Sequence, residues 1–330
     1  MPRAQRLPKL PGLLDRKIYK TGQTRGADDD EIYQNRVSRN STILIPYSQF
    51  DKFMSDEQYH MEFEKGYIVL ISPKDYFENV SSDELSEKNL RLGENLLIFY
   101  EIREDWNNHN PDALGYSVAS SRESPLGGQY IARIPATTSL ENGGKISKGF
   151  NVTSLKGAGI RAYEYASTEI IQNVRTQLEA IYWLCFDSIE IATQNGMTRE
   201  DAETRKSAIL EKARELNLLD TAEMKRMRII NNNGITICPL CLEQVSANGF
   251  FDKVAQADGR EVVDLTVTQL SLFHIEELRY GLFNHRPYNL GWGHHFCNVV
   301  AKDSGIYPTI DWMQEVIDRN VNEGYIPERT

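Results

Sequence analysis

NLGWGHHFCNVVAKD, residues 289–303, packs two of the chain's six histidines and one of its four cysteines into the four positions 294–297. His274 and His285 lie shortly before it, so four of the six histidines crowd one short region. Farther upstream, Cys238-Pro-Leu-Cys241 is a CxxC pair, and His294-His-Phe-Cys297 answers it as an HxxC pair. Two such pairs supply the four soft or borderline ligands that tetrahedral zinc takes, each from a tight knuckle or one turn of helix. The three-residue spacing favours His294 over His295 as the fourth ligand. A lone CxxC can be a redox pair, but a second matched pair argues for a metal. With all four positions filled by protein, the expected zinc is structural and leaves no coordination site for substrate.

The chain as a whole sets wide bounds. Its 330 residues are 40% hydrophobic and 25% charged, ordinary for a globular protein. No apolar run approaches the roughly 18 residues of a membrane span. The N-terminus, MPRAQRLPKLPGLLDRK, lacks the apolar centre of a signal peptide, and the expected location is the cytoplasm. Four cysteines are too few for a disulfide scaffold, and three of them fall in the last third. A net charge of −10 argues against blanket adhesion to nucleic acid or acidic membranes, though not against a local basic surface. Arg3, Arg6, Lys9, Arg16, Lys17, Lys20 and Arg25 against Asp15 form a basic N-terminal arm; Lys225, Arg226 and Arg228 form a second cluster. Each reads equally well as solvated surface or as phosphate contact.

Organisation follows from the hydrophobic period. Between residues 41 and 165, STILIPY, GYIVLIS, NLLIFYEI, GYSVAS and QYIARIP read as strands, and their spacing suggests an antiparallel sheet or barrel. SSDELSEKNL and DWNNHNPDA read as polar connections, the first as a short helix. Ile170, Val174, Leu178, Ile181 and Cys185 then recur at helical spacing along one helix that ends near Asn195-Gly196, with Cys185 a core thiol. Thr198, three residues before Asp201, caps a second helix. A third, short helix around 221–230 stops at NNNG, 231–234, where a boundary is expected. The fold class is thus α+β: a basic arm (1–40), a β-rich region (41–165), a helical region (166–230) and a C-terminal module (231–330).

Between the two metal pairs the order is informative. Asp258-Gly259 signals a hairpin, VVDLTVTQLSLFHI reads as a long strand ending near His274, a loop follows, and Asn289-Leu290 leads into the ligand-bearing segment. CxxC, His-Ile-x-x-Leu, Asn-Leu and a metal pair followed by Asn resemble the HNH nucleases, whose ββα-metal fold is often braced by structural zinc. The resemblance covers about residues 236–305. It implies that His274 is the general base that activates water, that Asn289 braces the loop and orients that histidine, and that Asn298 holds a single catalytic divalent cation such as magnesium. Imidazole suits a base near neutral pH, and an amide oxygen with waters suits a hard cation. Where many members have a metal-binding Asp before the histidine, this chain has Phe273; Asp264, Glu276, Glu277 or Asp303 are the acids near enough to substitute. His285 reads equally as phosphate contact or loop packing, as do Arg279 and Arg286 as phosphate clamps or surface charge. His295 reads as a helix residue beside its ligand neighbour.

More than two hundred residues precede the nuclease-like module, and KLPGLLDRKIYKTGQTRGADDD with FNHRPYNLGWGHHFCN is similar to the BstXI-like group of type II restriction endonucleases. That resemblance implies a cytoplasmic prokaryotic enzyme, a homodimer on palindromic or interrupted palindromic double-stranded DNA, with base readout by the β-rich region. A modification-dependent nuclease, a homing-type nuclease and a non-catalytic zinc-containing DNA-binding protein are the alternatives. The other common nuclease signature, Asp followed by Glu-x-Lys, finds only Glu223-Met-Lys225 behind an Asp220 that is too close.

Overall fold

The computed structural model describes residues 7–19, 38–55, 63–136, 143–150, 159–254, 267–276, 283–302 and 304–327. The chain divides into two compact units: Met1–Thr21 with Thr168–Arg279 and Asn284–Thr330, and Gly22–Ser167 with Tyr280–Phe283. The elements in order are α1 (Gly12–Tyr19), β1 (Ile43–Pro46), α2 (Tyr47–Ser55), β2 (Tyr67–Ile71), α3 (Ser82–Glu87), β3 (Leu96–Tyr100), α4 (Arg103–Asn108), β4 (Tyr130–Ile134), β5 (Ile146–Lys148) and β6 (Ile160–Arg161). They continue with α5 (Thr168–Trp183), α6 (Ser188–Gln194), α7 (Arg199–Glu215), α8 (Thr221–Arg226), β7 (Leu270–His274), β8 (Leu290–His294), α9 (His295–Ala301) and α10 (Ile306–Asn322). The architecture is mixed α+β.

The sheet of the second unit corrects the sequence expectation of antiparallel strands. Its order is β5-β4-β3-β2-β1-β6, and every pair is parallel except β4 with β5. The cause is that β1, β2 and β3 are each followed by a helical segment, and parallel neighbours need such crossovers. Burial on both faces agrees: ILIP, YIVLI, LLIFY and YIARI bury nearly every residue rather than alternate ones, the mark of strands covered on two sides. The first four residues of the expected polar connection DWNNHNPDA, 105–108, are instead helical as part of α4, and α3 is capped by Ser81, whose side chain accepts from the Glu84 N–H. One face of the sheet carries Ile43, Ile45, Val69, Ile71, Ile98, Tyr100, Tyr130 and Ala132; the other carries Leu44, Ile68, Leu70, Leu97, Phe99 and Ile131.

In the first unit, α5 buries Val174, Leu178 and Ile181 as its period requires, with Ile171 buried and Ile170 only half-buried, and Cys185 is buried at 2% exposure. The expected single helix is nevertheless cut in two. Thr236 engages carbonyls at the end of α5, donating Oγ1 to Ile181 O at 2.6 Å and N–H to Leu184 O at 3.3 Å. Asp187 leaves the helical path to accept from the Ala247 N–H at 2.7 Å and the Ser246 hydroxyl at 2.5 Å. Thr198 caps α7 through the Asp201 N–H at 3.0 Å, as expected.

A buried ion pair joins the helices. Arg205 of α7 grips Glu179 of α5 with Nε at 2.6 Å and Nη2 at 3.0 Å, and Trp183 Nε1 adds a bond at 3.2 Å. Tyr19 at the end of α1 also donates to Glu179, and Arg205 to Pro8 O. Part of the basic N-terminal arm is therefore packed helix, with Leu14 and Ile18 in the same core as Val174, Leu178, Cys238, Phe273 and Trp292. Because Glu179 is fully buried, Glu179→Ala or Arg205→Met alone leaves an uncompensated charge and is expected to cost about 3–5 kcal/mol of unfolding free energy. A urea titration checks this: the double change should recover most of the loss, and single variants with the wild-type midpoint would contradict it.

Candidate metal centre and active site

Cys238, Cys241, His294 and Cys297 converge from three elements. Cys238 and Cys241 form a knuckle closed by Leu242 N–H to Cys238 O at 2.9 Å and Cys238 N–H to Glu243 O at 2.9 Å, with Leu242 at φ +64 completing the turn. Arg228 supports the knuckle from outside, donating Nε to Pro239 O at 2.8 Å. Its place in a basic cluster gives no hint of this role, and its left-handed backbone at φ +58, ten residues before the first cysteine, is not readable from the sequence. His294 ends β8 and is the residue from which α9 starts, and Cys297 lies in the first turn of that helix. One donor atom from each of the four lies within 4.8 Å of the others, and Cys241 Sγ is 3.3 Å from His294 Nδ1. His295, half-buried beside them, anchors its N–H on Gln269 O at 2.7 Å.

The cluster is polarised before any ion is considered. Burial opposes the Cys238 thiolate, but hydrogen bonds from the His294 ring and the local backbone N–H groups outweigh it and bring the thiol down to about 6. The same bond to Cys238 raises His294. Burial and the Cys238 charge push the Cys241 and Cys297 thiols up. Cys238 is thus the first ligand ready to lose its proton, and metal ligation requires thiolates.

The second constellation hangs on the hairpin of β7 and β8, antiparallel with Leu270 opposite His294 and His274 opposite Leu290. Asn289, fully buried, stands immediately before that last pair. Its Oδ1 accepts from the Glu276 N–H at 2.7 Å and its Nδ2 donates to Asn284 O at 2.7 Å, so one amide ties both ends of the β7–β8 loop. His274 ends β7 with its ring centroid 5.8 Å from that of His285, which is buried at 3% exposure. Asn298 is half-buried in the second turn of α9, one residue past Cys297. Exposed Arg286 pairs with Glu276 at 2.7 Å. Arg279, Glu277, Asp264, Asp303 and the Asp258-Gly259 turn lie outside the described residues.

Phe273, at the position where a carboxylate is expected, has a packing role. It is fully buried, and a Cβ added to Gly293 would come within 2.6 Å of its ring and 3.4 Å of Cys238 Sγ. The glycine makes room for an aromatic ring that floors the cysteine cluster.

Together these features define an α+β protein with a Cys3His cluster that could hold a metal ion, beside a histidine- and asparagine-bearing hairpin. The profile of the BstXI restriction endonuclease family matches residues 16–295, most of the chain, and the chain belongs to that family. Among solved structures, a crystal structure of a type II restriction endonuclease is similar at 15% identity, covering 48% of this chain and 57% of its own, with a TM-score of 0.25. The chain thus spans little more than half of that enzyme's length. No curated protein matches the chain.

Asn289→Ala strands a backbone N–H and a carbonyl and is expected to lose about 2–4 kcal/mol of stability, with protease cutting appearing first in the β7–β8 loop. A thermal melt and limited proteolysis unchanged from wild type would show that the amide does not brace the loop. Gly293→Ala is expected to cost about 1–3 kcal/mol by overpacking and to be eased by Phe273→Leu; denaturation of the single and double variants measures both.

Proposed function

We propose that the chain is a type II site-specific endonuclease that hydrolyses phosphodiester bonds of double-stranded DNA by a one-metal HNH mechanism. The observation that carries this is the order strand, loop, strand, helix, with His274 closing the first strand, Asn289 entering the second and Asn298 on the helix. In this reading the hairpin and α9 are a ββα-metal module, and its cysteine cluster holds a structural zinc.

The four donors fit that ion. A tetrahedron with Zn–S bonds of about 2.3 Å has S···S edges of roughly 3.8 Å, and the four donor atoms lie within 4.8 Å of one another. Three sulfurs and one imidazole are a common structural zinc set. The hard cation of the active site is assigned to Asn298, whose amide makes no side-chain hydrogen bond among the described residues. When bound, such a cation stabilises the developing phosphorane charge and the leaving oxygen. Magnesium keeps several waters and asks few protein ligands, consistent with a single amide.

The chain's own residues supply the remaining work. His274 takes the proton of the attacking water, a task for which an imidazole near neutral pH is suited. Asn289 fixes the loop that follows His274 through Glu276 and Asn284. Arg286 is exposed and can exchange its Glu276 partner for a phosphate, with Arg279 and His285 as further contacts of the same loop. Base readout is assigned to the unit holding the parallel sheet, and a homodimer would match its symmetry to a palindromic or interrupted duplex.

Phe273 in the acid position favours a second reading, a zinc-containing DNA-binding protein without activity. Single-turnover cleavage of a plasmid with magnesium separates the two. His274→Ala is expected to slow cleavage by about 10²–10⁴-fold while leaving zinc content and duplex affinity unchanged; absence of magnesium-dependent cleavage by the wild type would support the second reading. Removing the tightly held zinc with a strong chelator is expected to unfold the C-terminal module, whereas withholding magnesium stops cleavage and leaves the melting curve intact.

A further inference from the structure

Among the described residues three arginines are deeply buried, and Arg133 differs from the other two, of which Arg39 bonds the Glu164 carbonyl. Arg205 closes on Glu179 in a bidentate pair, but Arg133, only 7% exposed, has no ion pair or side-chain hydrogen bond among the described residues. Its Nε is sealed from solvent without a partner, while its two Nη atoms are not sealed. Alternation along β4 places Arg133 on the face of Ile131, which pairs with Phe99 and clusters with Leu70. The stem therefore lies on an apolar floor with the guanidinium fork at its edge. Directly opposite, on edge strand β5, stands half-buried Ser147, whose hydroxyl has no partner among the described residues.

A guanidinium taken this far out of water without a counter-charge opposes folding unless something supplies the charge. An arginine held in one place by packing is also a ready-made receptor, because its planar fork matches two oxygens of an oxyanion and little rotamer freedom remains to be lost. We propose that Arg133 and Ser147 form a phosphate-binding site that takes a backbone phosphate of the DNA duplex. This rests on the endonuclease reading for the identity of the ligand, not for the existence of the site. A recessed fork cannot enter the major groove to reach base edges, whereas phosphates stand out from the duplex and can come to it. The site thus positions DNA on the sheet unit without reading its sequence.

The test is fluorescence anisotropy of labelled duplexes without divalent cation, across a salt series, with wild type, Arg133→Met, Arg133→Lys and Ser147→Ala. Arg133→Met removes an uncompensated charge at similar length, so its melting temperature should equal or exceed that of the wild type. Its affinity should fall about tenfold on every duplex sequence, with the slope of log K against log salt reduced by about 1. Lysine should restore part of the affinity, and Ser147→Ala should lose less. Inorganic phosphate should raise the melting temperature of wild type but not of Arg133→Met. Wild-type affinity and salt slope in Arg133→Met would overturn the proposal, as would a loss confined to one DNA sequence, which marks base readout, or equal stabilisation of both proteins by phosphate. Should Arg133→Met fail to fold, the lysine and alanine variants decide by the same readings. Wild type that binds phosphate through Arg133 yet never cleaves DNA would remove the endonuclease reading and leave the site.

Discussion

Four donor atoms meeting at one point set the geometry of the C-terminal module. Cys238 and Cys241 come from a knuckle, and His294 and Cys297 from the junction of β8 and α9. Drawing them together fixes where β8 ends, and the antiparallel register then fixes its partner: Leu270 must face His294, so His274 must face Leu290. The position of the histidine follows from the cluster several residues away. The cluster brings together segments far apart in sequence, and the hairpin beside it shares its core with α1 and α5 through Leu270, Phe273, Leu290 and Trp292.

The second requirement is that the loop between the strands hold a shape, and here one side chain does most of the work. Asn289 is fully buried and uses both ends of its amide on backbone groups, one beyond β7 and one before β8. Phe273 serves the same module differently, filling space that Gly293 leaves open beneath Cys238. A carboxylate there would have to be buried against a ring-shaped gap. Elsewhere the chain handles buried charge in two opposite ways. Glu179 and Arg205 neutralise each other and lock α1, α5 and α7 together, whereas Arg133 keeps a sealed Nε with no partner among the described residues.

The convergence of Cys238, Cys241, His294 and Cys297 was the most legible feature of the sequence, because CxxC and HxxC pairs admit few residue types and each pairing is local. His294 rather than His295 joins the cluster, as the three-residue spacing indicated. The α+β class, the Thr198 cap and the core position of Cys185 were legible for similar local reasons. Strand direction was not: turn-rich spacing suggested antiparallel pairing, although the doubly buried runs YIVLI, LLIFY and YIARI carried the opposite signal. The break after α5 was hidden because it depends on Thr236 and on the grip of Asp187 on Ser246 and Ala247, contacts distant in sequence. Arg228 and Arg133 were equally hidden, since a sequence shows a positive charge but not whether its partner is a carboxylate, a backbone carbonyl or nothing.

The central claim is that this fold presents a DNA-cleaving centre directed to particular sites. It is tested most directly by digesting a plasmid of known sequence with purified protein and magnesium, then sequencing the ends. Discrete fragments whose ends share one palindromic or interrupted palindromic motif, each bearing a 5′-phosphate and a 3′-hydroxyl, are the predicted result. Intact plasmid, or ends scattered without a common sequence, would contradict the account.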